Sequence, residues 1–191
     1  MKALEEKILK EGSVLPGGIL KVGNFLNHQI DVDFLMEMGR EVAGLFEGSG
    51  VTKVLTVEAS GIAFAVAIAS QMHVPCVFAK KTVTSNISSE LYTAKVDSFT
   101  HGKTYDIVIP KEYIASGDKI LIADDFLACG NALKGLCKMI SDAGAETVGA
   151  AIEIEKAFQK GGDELRASGL RIESLAIVET MEDDGTITFR A

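Results

Sequence analysis

Four short stretches of this chain are apolar almost without interruption: residues 53–58 (KVLTVE), 74–79 (VPCVFA), 119–123 (KILIA) and 147–155 (TVGAAIEIE). A strand with one wet face alternates apolar and polar residues, whereas a strand covered on both faces does not. Helical patterns separate these runs. Residues 31–47 set Leu35, Met38, Val42 and Leu45 on one stripe. Residues 61–69 (GIAFAVAIA) are small and apolar, as suits a helix buried between layers. Residues 131–143 carry Leu133, Leu136, Cys137 and Ile140 on one face, with Gly144 at the end as a cap. Strand–helix–strand alternation of this kind predicts an α/β fold, a mostly parallel twisted sheet flanked by helices, with right-handed crossovers.

Two stretches break the rhythm. Residues 80–90 are polar, small and β-branched, and read as a long loop that feeds a strand at 91–99 paired with 106–110. Residues 171–180 and 186–190 read as short strands around the turn Asp184-Gly185. No repeat or linker divides the 191 residues, so a single domain over 1–191 is expected. With 47% hydrophobic and 24% charged residues the chain is not disordered. A net charge of −8 argues against a nucleic-acid partner, which needs clustered Lys and Arg, but leaves room for a local phosphate seat made of backbone N–H groups. Cys76, Cys129 and Cys137 form no C-x-x-C pair, which suggests reduced thiols. The longest apolar run, 61–69, is about half a membrane span, so no membrane association and a cytoplasmic location are expected.

The stretch 120–133, ILIADDFLACGNAL, carries the chemistry. An apolar strand is expected to end at Asp124-Asp125, and a glycine shortly afterwards opens a helix. Ligands of open α/β sheets bind beyond the carboxyl ends of the strands. The turn Ala128, Cys129, Gly130, Asn131, Ala132 can aim several N–H groups at one anion, helped by the helix dipole. Asp124 and Asp125 suit sugar hydroxyls or a hydrated divalent cation. Phosphate beside vicinal hydroxyls describes a ribose 5-phosphate. The residues alone also allow a pair that only caps the next helix.

This element resembles the phosphoribosyl-diphosphate motif of the type I phosphoribosyltransferases. LKVGNFLNHQI (20–30), VEASGIAFAV (57–66), VFAKK (77–81), IEKAFQ and GGDEL (154–165) and RIESLA (171–176) resemble, collinearly, the bacterial xanthine phosphoribosyltransferases of purine salvage. The resemblance implies transfer of a phosphoribosyl group from phosphoribosyl diphosphate to xanthine. It implies Asp124 and Asp125 as catalytic, with no protein metal site and Mg²⁺ held mainly by the substrate diphosphate. It implies a diphosphate loop with Ser60 and Gly61, and Lys80 or Lys81 as a further diphosphate contact, reaching across a homodimer. For the base it implies Leu20, Asn27 and Lys156, with Phe126 against the purine, in a small hood formed by residues 1–30 and 156–191. Read without the family, Ser60-Gly61 is a plain connection, Asn27 a turn residue, Phe126 core, and Lys156 beside Glu155 a solvated ion pair. Cys129 and Phe64 depart from the family pattern, the former within the phosphate turn. Guanine or hypoxanthine as acceptor, and a non-catalytic sensor of the same fold, remain alternatives.

Overall fold

The computed structural model describes residues 1–81, 90–98, 103–182 and 184–190. The chain begins with helix α1 (Lys2–Glu11), the hairpin β1 (Ser13–Leu15) and β2 (Ile19–Lys21), and a π-helical turn at Gly23–Asn27. Helix α2 (Val32–Leu45), strand β3 (Lys53–Val57), helix α3 (Gly61–Met72) and strand β4 (Cys76–Ala79) follow. Strands β5 (Leu91–Ser98) and β6 (Lys103–Pro110) pair as an antiparallel ribbon. The remainder is β7 (Lys119–Leu127), α4 (Asn131–Asp142), β8 (Glu146–Lys156), α5 (Gly161–Ala167), β9 (Ile172–Met181) and β10 (Ile187–Phe189).

Six strands form the central sheet in the order β10-β9-β8-β7-β3-β4, all parallel except β10. One face buries Met38 and Val42 of α2 and Phe64 and Ile68 of α3, together with Leu4 and Ile8 of α1. The other buries Leu133, Leu136 and Ile140 of α4 with Ala94, Val96 and Ile107 of the β5–β6 ribbon. This is the doubly covered sheet that uninterrupted apolar strands require. The expected cap holds, since Gly144 takes a positive φ of 69° just past α4, and the structure adds another: the Asp31 carboxylate accepts from the Phe34 amide at the start of α2.

Four expectations are corrected. Strand β7 does not stop at the acidic pair but runs on to Leu127, with Asp124 opposite Ile152 and Phe126 opposite Ile154. Strand β4 is an edge strand, not a buried one: it pairs with β3 alone, and Phe78 is 40% exposed. The C-terminal segment assigned to the hood supplies β9 and β10 to the central sheet, so the hood over that sheet is chiefly α1, the β1–β2 hairpin and the π-helical turn. Glu155 is fully buried and pairs with Arg166, not with Lys156. The expected loop lies mostly at 82–89, outside the described residues. Its base is fixed, because Lys80 exchanges backbone hydrogen bonds with Val108 of β6 at 3.0 and 2.9 Å.

Candidate active site

The strand order reverses between β3 and β7, since the chain moves outward to β4 from one and to β8 and β9 from the other. The crevice beyond the carboxyl ends of these two strands is where an open α/β sheet takes ligands. A cleft of about 300 Å³ opens there, lined by residues 57–61, Lys81, Val96, Tyr105 and residues 124–133.

One wall is the phosphate-type turn. Gly130 adopts φ 77°, a left-handed conformation that costs glycine little, and stands as the N-cap of α4. The first turn of α4 therefore begins at the cleft, which Asn131, Ala132 and Leu133 line. The opposite wall is the β3–α3 turn. A Cβ on Gly61 would lie 2.4 Å from Thr56 Oγ1 and 3.0 Å from Asp124 Oδ1, so only glycine lets α3 begin this close to the acidic pair. The Glu58–Ala59 peptide in this turn is cis. Lys81 enters from a third side. Its amide donates to Glu58 Oε1 (2.7 Å), and its ammonium lies 5.3 Å from the centre of the Tyr105 ring.

Between the walls lie the carboxylates. Asp124 is 6% exposed, and Asp124 Oδ1 accepts from the Asp125 amide at 3.1 Å. Burial first, and then the Asp125 carboxylate, push the Asp124 carboxyl well above the ordinary carboxylate range. Burial raises Asp125 as well, against the pull of hydrogen bonds that include one from Asn27 Nδ2 to Asp125 Oδ2 at 3.0 Å. Glu153 of β8 is a further buried carboxyl, raised well above its usual range by burial and by both aspartates.

Beyond Asp125 the hood closes on the strand ends. Lys156 Nζ donates to the Gly18 carbonyl at the hairpin tip (3.0 Å) and lies 5.4 Å from the centre of the Phe126 ring. Burial lowers the pKa of Lys156. Lys156 and Asn27 thus stand beside Phe126 and Asp125, two residues that line the cleft.

The sequence profile of the family described as "Phosphoribosyl transferase domain" matches residues 27–178. The xanthine phosphoribosyltransferase of Clostridioides difficile is 53% identical over 192 aligned residues, covering 100% of both chains. The enzyme of the same name from Heliobacterium modesticaldum is 51% identical over 189 residues, covering 99% of this chain and 100% of that one. The chain belongs to the phosphoribosyltransferase family. The fold agrees: adenine phosphoribosyltransferase of Rhodothermus marinus superposes with a TM-score of 0.74 at 21% identity, over 93% of this chain and 100% of that one.

Of the residues expected to serve a phosphoribosyltransferase site, Ser60, Gly61, Lys81, Asp124, Asp125, Phe126, Ala128, Cys129, Gly130, Asn131 and Ala132 all line the one cleft. Asn27 and Lys156 stand just outside it, joined to Asp125 and Phe126. Leu20 does not line it; the side chain is buried in the core on the α2–α3 face. Sequence reasoning missed Tyr105 and Glu153. Glu153 had a signal, since it and Glu155 are carboxylates alternating with Ile152 and Ile154 in the buried part of the strand.

Proposed function

We propose that this chain transfers the 5-phosphoribosyl group of phosphoribosyl diphosphate to xanthine, giving xanthosine 5′-monophosphate and diphosphate. The observation that carries the reading is the cleft at the β3–β7 crevice, in which a neutral cradle of amides and a buried carboxylate pair arise from the same stretch of chain. The amides of residues 128–132 seat the 5-phosphate without a countercharge. Asp124 and Asp125 hold the ribose hydroxyls. As the C1–oxygen bond breaks, its electron pair leaves with the diphosphate and positive charge grows on the sugar ring. The carboxylates are correctly signed to stabilise that charge. A ring nitrogen of the base forms the new bond to C1 and gives up its proton. No covalent protein intermediate is required.

The leaving diphosphate falls to the amides of Ser60 and Gly61 and to Lys81. The hard oxygens of Asp124 and Asp125 border the same cleft and suit Mg²⁺, which would be bound mainly by the diphosphate oxygens. Bound there, it would supply neutralisation of the leaving group's charge.

Xanthine is favoured because the base side offers donors. Lys156 and the Asn27 amide can serve its two exocyclic oxygens, and guanine would set an amino donor against one of them. Support comes from the relatives of that name at about half identity over their full length. The reading includes a homodimer. Helix α3 leaves Val66 51% exposed, and Phe78 on the edge strand projects on the same side as Cys76, which packs against the α3 core. A cytoplasmic location suits the substrates; among the described residues, no helix is long and apolar enough to cross a membrane.

The test is incubation with phosphoribosyl diphosphate, Mg²⁺ and xanthine, with chromatography of the products. Stoichiometric nucleotide and diphosphate are expected. Ligand binding without turnover would overturn the enzyme reading in favour of a sensor.

A further inference from the structure

The phosphate-type turn rests on α5, and α5 rests on an ion pair whose carboxylate, Glu155, is fully buried. A Cβ on Gly161 would lie 2.1 Å from the Ala128 carbonyl oxygen, 2.5 Å from the Cys129 carbonyl carbon and 2.7 Å from the Gly130 amide nitrogen. The Gly161 amide donates to that Ala128 carbonyl at 3.2 Å. A Cβ on Gly130 would lie 2.7 Å from Leu165 Cδ1, one helical turn further along α5. The backbone of α5 is therefore in direct contact with the turn from behind. On its other side, a Cβ on Gly162 would lie 2.0 Å from Glu155 Oε1. Glu155 is fully buried and takes a bidentate pair of hydrogen bonds from Arg166 at 2.8 and 2.6 Å, with the Ser174 hydroxyl as a further donor. The bidentate fork ties the buried Glu155 carboxylate, against which Gly162 packs, to the partly exposed Arg166 in a defined geometry.

We propose that Glu155 and Arg166 are positioning residues: through Gly161 and Gly162 they hold the amides of the 128–130 turn at the spacing that seats the sugar 5-phosphate. Neither residue is among those that line the cleft. This rests on the functional reading above, in which that turn takes the phosphate and the β3–α3 turn takes the diphosphate.

The two turns provide the readout. Arg166→Lys keeps the charge and loses the fork; the double variant Glu155→Gln with Arg166→Met removes both charges, so that neither is left buried alone. Inhibition by ribose 5-phosphate and by inorganic diphosphate is measured in competition with phosphoribosyl diphosphate, alongside the unfolding midpoint. Both variants are expected to raise the inhibition constant of ribose 5-phosphate about tenfold or more, with that of diphosphate changed less than about twofold, since small displacements of a positioned group are costly. Arg166→Lys is expected to lose less than the double variant. Equal weakening of both ligands, or of neither, in a folded Arg166→Lys protein overturns the proposal. Wild-type protein that binds neither ligand would instead overturn the functional reading.

Discussion

Asp124 stands in tension with its surroundings. On the proposed reading its charge serves the sugar, and burial beside a second carboxylate opposes that charge. Asp124→Asn should therefore slow turnover about 10²- to 10³-fold, the scale of losing one preorganised electrostatic group. It should leave the melting temperature unchanged or raised, because strained active-site groups are bought at the expense of stability. Steady-state kinetics and calorimetry on one preparation check both; a lower melting temperature with full activity would mean a structural pair. Lys156 is the opposite case. Burial lowers its pKa, so the charged donor is lost, as pH rises, earlier than from an exposed lysine. Lys156→Arg keeps its charge to higher pH. The alkaline limb of kcat/KM for xanthine should move upward in the variant, and an unmoved limb would exclude Lys156 as the titrating group. At this scale the sequence made the 124–132 wall of the cleft legible, because it lies in one contiguous motif, whereas Ser60, Gly61 and Lys81 came from the family resemblance. Tyr105 was not legible, since it reaches the cleft only through the ribbon's packing.

The elements were read from periodicity, and the readings failed where tertiary contacts decide. The acidic pair looked like the end of β7 because polar residues usually leave a buried strand. Pairing with β8 carries the ladder on to Leu127, which fixes the backbone of both aspartates in the sheet. Strand β4 looked buried because apolar content does not distinguish a central strand from an edge that is covered otherwise. Gly61 was read as an amide donor alone, yet its missing side chain is what brings α3 against Thr56 and Asp124. Gly61→Ala should cost about 1–3 kcal/mol, as overpacking does. It should also weaken inhibition by diphosphate more than by ribose 5-phosphate. Denaturant unfolding and competition assays test this, and a variant of native stability and affinity would contradict the close packing.

For the molecule as a whole, the acidity that argued against nucleic acid frames how, on the proposed reading, a strongly anionic substrate would be held: backbone amides, Mg²⁺ and a few lysines would act against a net charge of −8. The exposed apolar positions belong to this scale as well. Phe78→Asp, on the edge strand beside α3, should shift sedimentation from dimer to monomer, while a wild-type monomer would remove the homodimer from the account. The fold class was legible because the apolar runs of β3, β7 and β8 had to be covered on both faces, as the clusters on either side of the sheet cover them. The hood was only partly legible, because strands β9 and β10 join the sheet through pairing that their short sequences do not specify. The central claim is that a base site made of donors accepts xanthine. It is tested most directly by kcat/KM for xanthine, guanine and hypoxanthine with phosphoribosyl diphosphate saturating. The account predicts xanthine ahead by about 10²-fold or more, as sites with unpaired polar groups discriminate; guanine or hypoxanthine equal to xanthine would contradict it.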